Sequence, residues 1–398
     1  MRIAFLTTEY ITESDFAGGL ANYLHRVARS MMQRGHSVEV FTLSESDGQI
    51  SYHGLPVNRI RENAYPFTFL DRLARYRFKR SLRFLARSYN IRKRVQERQT
   101  SRPFDIMQAT SCYACGLFST FRNRAPLVTR VSSLEYIWER IYKRPLNLDQ
   151  RICEWLELLA LRRSDAVYAP SHLLSTILTI EKNIKADCLR PPFSVETTTS
   201  DETVFRHYLS GHQYLLFYGT VGFLKGCEVL AHSLPRLLSK FSDLYFVFVG
   251  KVHRGPRGLT MIDYVRQQTG DFKDRILHLD VLPHSQLYRV IKGAKAVVLP
   301  SLIDNFPNTM LESMALGKVV IGTNGASFEE LIDHGVSGIL VEPHNAEALS
   351  EAMETVWAMS EKERTKIGRA AQAAVKSLAP EKACMELEHY FHRVLKES

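Results

Sequence analysis

Two carboxylates eight residues apart, Asp304 and Glu312, bracket the segment Asn305-Phe306-Pro307-Asn308-Thr309. Ahead of them, Ala296 to Leu299 is a short apolar run closed by Pro300-Ser301, the pattern of a strand buried on both faces. Beyond Asp304, Met310, Leu311, Met314 and Ala315 recur at helical spacing, Gly317 stops the helix, and Val319 to Gly322 forms a second buried strand. Strand, loop, helix and strand in that order put Asp304 in the crevice beyond a strand's carboxyl end, where open α/β sheets hold ligands. Ionised carboxylates accept from hydroxyls, and a helix start after Pro307 favours an anion. Thr309-Met-Leu-Glu312 also fits a capping box, in which Glu312 would bond the N-cap amide and no ligand. Asp304 likewise fits an ordinary turn.

A second anion-friendly turn lies near the start of the chain. Gly18-Gly19 opens a helix that carries Leu20, Tyr23, Leu24, Val27, Ala28 and Met31 on one face, between the strands Arg2 to Thr7 and Val38 to Leu43. A glycine pair at a helix N-terminus lets backbone N–H groups approach an anion closely, and it can equally relax a turn.

These residues carry a resemblance. An acid, a Glu eight residues on, and their setting between Pro300-Ser301 and Gly317-Lys-Val-Val320 resemble the nucleotide-sugar signature of retaining GT-B glycosyltransferases of family four (glycosyl transferases group 1). Landmarks in that family's order run from the first strand to about residue 345. Gly18-Gly-Leu-Ala-Asn-Tyr-Leu-His-Arg-Val-Ala28 is similar to the turn that faces the donor diphosphate. Gly219-Thr-Val-Gly-Phe-Leu-Lys225-Gly226, following the strand Leu215 to Gly219, resembles the family's phosphate loop, with Lys225 on the lysine position. Leu282, with Pro283-His284, lies where relatives hold the base through backbone groups. Three places depart from the pattern. Asp304 stands where Glu is usual, Thr220 stands at the arginine position, and neither Gln108-Ala-Thr110-Ser111 nor Arg130-Val-Ser132-Ser133 supplies the histidine that many relatives aim at the sugar.

The resemblance implies an α/β GT-B fold: two Rossmann-like domains facing each other across a cleft, with a C-terminal helix crossing back to the first. The expected domains are 1–195 with the helix 379–398, a linker over 196–212 marked by Pro191-Pro192 and a polar tract, and 213–378 for the nucleotide sugar. It further implies a nucleoside-diphosphate sugar as donor and substrate, a glycan or lipid-linked acceptor, and no cofactor. Asp304 and Lys225 are the implied catalytic residues. Asp304 would accept hydroxyls of the sugar while amides of residues 305–308 donate to it, and Glu312 would accept the two ribose hydroxyls. The donor set is Glu312, Gly18, Gly19, Asn305, Phe306, Pro307, Asn308, Thr309 and Leu282. Retention without a protein nucleophile implies front-face departure, the leaving phosphate oxygen taking the acceptor's proton. No Asp-x-Asp pair occurs, so the expectation is a metal-independent reaction in which fixed charges stabilise the leaving diphosphate. An epimerase-like GT-B enzyme and a non-catalytic binding relative remain alternatives. A phosphorylase would need a pyridoxal lysine site, for which the sequence offers no residue.

Length and composition set the frame. A chain of 398 residues with 45% hydrophobic content supports two cores. Six cysteines form no disulfide framework, and Cys112-Tyr-Ala-Cys115 is either a redox pair or two ordinary thiols. The first residues read as a strand too short for a signal sequence, and no apolar run reaches the ~18 residues of a membrane span. The expected setting is cytoplasmic, with a peripheral position on the inner face of the membrane. The formal charge of +10 is concentrated: Arg72 to Arg102 holds twelve Lys or Arg and one acid, Glu97, with aromatics interleaved at helical steps. That segment fits an anionic membrane surface better than a nucleic acid, and a solvated helix face fits it too.

Overall fold

The computed structural model describes residues 1–13, 19–62, 77–121, 125–134, 136–137, 141, 145–195 and 200–398. Met1–Pro192 and Leu378–Ser398 form one unit, and Phe193–Ser377 form another. In the first, β1 (Arg2–Thr7), β2 (Ser37–Ser44), β3 (Gly48–Tyr52), β4 (Leu55–Arg61), β5 (Ile106–Thr110), β6 (Leu127–Arg130), β7 (Ala166–Ala169) and β8 (Asp187–Cys188) build one sheet in the order β3-β4-β2-β1-β5-β6-β7-β8. Every pairing is parallel except β3 with β4. That antiparallel hairpin turns at His53-Gly54, both at positive φ, as a two-residue hairpin loop requires. Parallel strands covered on both faces read as continuous apolar runs, and β1 and β5 are buried throughout.

Three helices of this unit connect its parallel strands. α1 (Gly19–Gln33) packs Leu24, Val27 and Met31 against the sheet. α2 (Lys79–Ser101) leads into β5, and α3 (Leu148–Arg163) leads into β7. The C-terminal helix Pro380–Glu397 belongs here as well: Cys384, Leu387, Phe391 and Val394 enter the same core cluster as Ile3 and Leu24, and Glu388 pairs with Arg34 and His36.

Several arginines of α2 are engaged by groups of their own unit. Arg87 pairs with Glu62, Arg92 donates to the Phe118 carbonyl, Arg94 reaches Glu97 and Arg98 reaches Glu39. Residues 72–76 of the basic segment lie outside the described residues. The cysteines are free thiols, and burial pushes Cys112 up and Cys115 to about 11, away from the reactive thiolate range. No helix among the described residues is long and apolar enough to cross a membrane.

In the second unit the strands are β9 (Gln213–Tyr218), β10 (Leu244–Val249), β11 (Ile276–Leu279), β12 (Ala296–Leu299), β13 (Val319–Thr323) and β14 (Ile339–Val341), ordered β11-β10-β9-β12-β13-β14 and all parallel. This is the order of a dinucleotide-binding sheet, with the reversal between β9 and β12. The stretch expected as linker carries α4 (Thr203–Tyr208), which packs in this unit: Arg289 lies over the Phe205 ring and pairs with Glu202. α5 (Cys227–Lys240), α6 (His284–Gly293) and α7 (Asn308–Ala315) follow β9, β11 and β12. Gly317, at φ +74, caps α7 in the left-handed conformation.

Candidate donor-binding site

The strand-order reversal in the second unit opens a crevice beyond the carboxyl ends of β9 and β12, and the loops that follow those two strands meet there. Their closeness depends on one glycine. Gly226 sits at φ +73, and a Cβ on it would lie 1.8 Å from the Pro300 carbonyl oxygen. Only a residue without a side chain lets the Gly219–Gly226 loop seat against Pro300. The Leu302 amide then donates to the Leu224 carbonyl at 2.9 Å and ties the loops together.

Lys225 and Asp304 come into contact as a result. The Lys225 ammonium donates to Asp304 Oδ2, and the Ser301 hydroxyl donates to the same oxygen at 3.3 Å. The other oxygen, Oδ1, accepts from the Asn305 amide at 2.9 Å. Phe306 is left-handed at φ +64, a costly conformation for an aromatic residue. It is held there by Ser327, whose hydroxyl accepts from the Phe306 amide at 2.9 Å and donates to the Asp304 carbonyl at 3.3 Å.

These bonds correct one expectation. The amides of residues 305–308 are not all turned to a ligand: Asn305 serves Asp304, Phe306 serves Ser327, and Pro307 has no N–H. Asn308 and Thr309 open α7, where N–H groups have no intrahelical acceptor.

Glu312 is buried on the second turn of α7, and the capping-box reading fails: the N-cap is Pro307, and no side chain caps the helix. Its Oε2 accepts from the Tyr218 hydroxyl at 3.3 Å, and its Oε1 lies 3.5 Å from His284 Nε2. Tyr218 ends β9 and also donates to the Thr309 carbonyl at 2.6 Å, with the Ser313 hydroxyl at 3.0 Å. Burial, with Glu312 adding to it, holds the Tyr218 phenol well above its ordinary value, so it remains a donor. His284 stacks on Tyr288 at 5.2 Å. Leu282 is half-buried in the loop between β11 and α6, two residues before His284. Thr220, at the position lacking the expected arginine, is exposed.

Tyr218 and His284 are site residues that the motif reading left without a role. Tyr218 carried a signal, a polar ring at the last position of an apolar strand directly before Gly219. His284 had only its place after Pro283. In the first unit, Gly19 opens α1, and Gly18 lies outside the described residues. Also in this unit, Arg130 is buried 3.8 Å over the Tyr23 ring, with Tyr23, Tyr168 and Gln108 in one hydrogen-bonded chain.

Two family models match the chain, Glycosyl transferases group 1 over residues 201–374 and Glycosyltransferase Family 4 over residues 17–187. An uncharacterized glycosyltransferase of Methanocaldococcus jannaschii is 23% identical over 377 residues, covering 89% of each chain. A D-inositol 3-phosphate glycosyltransferase of Xylanimonas cellulosilytica is 22% identical over 381 residues, covering 90% of this chain and 87% of the other. Among solved structures, Anabaena HepE in complex with UDP and glucose superposes with a TM-score of 0.71 at 19% identity, over 98% of this chain and 99% of that one. The chain is a glycosyltransferase of family four with the GT-B fold.

Proposed function

We propose that the protein transfers a hexosyl group, with retention, from a nucleoside-diphosphate sugar to a glycan or lipid-linked acceptor in cell-surface polysaccharide or glycolipid synthesis. The observation that carries this reading is the Lys225–Asp304 pair at the strand-order reversal, with Glu312 buried beside it on α7. An ammonium for a diphosphate, a carboxylate for sugar hydroxyls and a second carboxylate for a ribose diol are the donors and acceptors that such a substrate needs. The UDP and glucose of HepE and the inositol phosphate in the name of the Xylanimonas relative support the donor class and a polar acceptor.

In this reading Lys225 leaves Asp304 for the diphosphate, and Asp304 turns to the sugar. The diphosphate's developing charge meets the ammonium and the first amides of α7, without a metal ion. The acceptor is presented at an anionic membrane surface reached through 72–102, at the cytoplasmic face.

Incubation with UDP- and GDP-sugars tests the reading. Slow hydrolysis of one donor, lost in Lys225→Ala, is the expected result. No hydrolysis and no thermal shift with any donor would favour a non-catalytic relative.

A further inference from the structure

Glu312 is a buried carboxylate beside a group that can switch its charge. Its side chain is 9% exposed, and among the described residues only His284 lies within ion-pair distance, with Nε2 standing 3.5 Å from Oε1. A buried carboxylate is costly unless a cation or hydrogen-bond donors meet it. The Tyr218 hydroxyl meets Oε2 only at 3.3 Å, because it is shared with the Thr309 carbonyl and Ser313.

The sequence sets the imidazole at the edge of that pocket. Pro283, at φ −64, is the N-cap of α6, and His284 is the helix's first residue. Tyr288 follows four residues on, the helical step at which two side chains meet, and the two rings stack at 5.2 Å with 17° between their planes. Tyr288 is buried, so its ring is a fixed shelf for His284. The imidazole itself is 35% exposed and exchanges protons with water. It faces Glu312 from α7 and Tyr288 on its own helix, and the Tyr218 phenol of β9 meets the same carboxylate. Of these side-chain types, imidazole is the one that ordinarily titrates near neutrality, at about 6.5.

The two states of the ring treat Glu312 differently. An imidazolium attracts Oε1, whereas a neutral ring at 3.5 Å is beyond good hydrogen-bond range and leaves that oxygen to another donor. Two ribose hydroxyls would need both oxygens of this carboxylate.

We propose that His284 is a proton-operated gate on the donor site: as imidazolium it holds Glu312 against the ribose hydroxyls, and as neutral imidazole it releases the carboxylate to them. The gate rests on the donor reading above. It makes donor affinity rise with pH through the imidazole range, and below that range each donor bound expels a proton to solvent.

The test is calorimetry of the full chain with UDP-glucose and GDP-mannose at about pH 5.5 and pH 8, a range in which the diphosphate of either probe keeps one charge state. The probe bound more tightly by the native chain is then followed in two variants. His284→Gln keeps a neutral polar group of similar reach, and His284→Phe keeps a ring on Tyr288. The native Kd should be about three- to tenfold weaker at the lower pH, the scale of one partly exposed ion pair. Heats in buffers of different ionisation enthalpy should show proton release there. Both variants should bind within about threefold of the native chain at pH 8, lose most of the pH difference and release no proton at pH 5.5. Comparing variant with native cancels other titrating groups, which all three proteins share. The same pH dependence in the variants, an equal loss in both at both pH values, or native binding tighter than either variant at pH 5.5 overturns the proposal. Binding at pH 8 with an unaltered pH profile in the variants sinks the gate alone, while no binding of either probe at either pH sinks the donor reading and the gate with it.

Discussion

Replacing Glu312 by Gln keeps the side chain's shape and removes its charge, so it separates a ligand-binding carboxylate from a structural one. Among the described residues the Glu312 carboxylate makes only long contacts, 3.3 Å to the Tyr218 hydroxyl and 3.5 Å to His284 Nε2. The Tyr218 hydroxyl has two better partners in the Thr309 carbonyl and Ser313. The fold should therefore lose less than about 1 kcal/mol. A ribose diol donating to a carboxylate loses about 1.5–3 kcal/mol when that acceptor becomes an amide, about 10- to 150-fold in Kd. Calorimetry with UDP and GDP on both proteins, beside their melting temperatures, reads both quantities. If Glu312→Gln binds the preferred nucleotide within about twofold of the native chain, the nucleotide does not rest on Glu312. A fall of several degrees in melting temperature with unchanged Kd would make the residue a buried structural carboxylate.

Lys225→Ala should lower turnover about 10²- to 10³-fold, with a much smaller change in donor Kd; single-turnover hydrolysis and calorimetry measure the two. Thr220→Arg should be tolerated, because Thr220 is exposed, and should tighten donor binding if it reaches the diphosphate. Gly226→Ala should cost about 2 kcal/mol or more in urea unfolding, since it combines an unfavourable φ with a Cβ 1.8 Å from the Pro300 carbonyl, and should abolish hydrolysis by parting the two loops. Burial, with Arg364 and Arg289 adding to it, pushes Lys318 from 10.5 down to about 8, so across that window the unfolded chain holds more protons and stability rises with pH. Lys318→Met should gain on the order of 1 kcal/mol at pH 7 after allowing for partial exposure, and the gain should disappear by pH 10.5; a difference constant with pH would refute this.

What the sequence made legible was local. The run Ala296 to Leu299, the helical spacing from Met310 and the stop at Gly317 define β12 and α7 because each depends on a few adjacent residues. The hairpin β3–β4 escaped because its outer strand, Gly48–Tyr52, is short and offers only Ile50 and Tyr52 as apolar positions, both half-buried, and its turn is His-Gly, a weak signal. The capping-box alternative for Glu312 could not be settled from four residues, because it depends on where the helix starts, and Pro307 moves that start two residues before Thr309. Part of α2's charge is engaged in a way the sequence hides for a related reason. A run of arginines looks free in a sequence, whereas Glu39, Glu62 and the Phe118 carbonyl, which engage it, lie elsewhere in the chain.

The two departures near the phosphate loop belong to one arrangement. Without an arginine at Thr220, Lys225 is the cation that this loop offers the diphosphate, and in the donor-free chain it is already paired with Asp304. Lys225 is about one-third exposed, and an ion pair so open to water is worth up to about 1 kcal/mol, so a diphosphate can displace it. Donor binding then exchanges one ion pair for another, and the ammonium adds little to ground-state affinity. Its full worth appears only when the glycosidic bond breaks and charge gathers on the diphosphate, in a site where Asp304 has been released to face the sugar. An acid shorter than Glu by one methylene also stays closer to β12, within reach of Ser301 and its own loop amide, which keeps the carboxylate in place while the lysine is away. On this reasoning the loss in Lys225→Ala falls on turnover, and a variant that lost affinity and turnover equally would mean the ammonium holds the donor from the start.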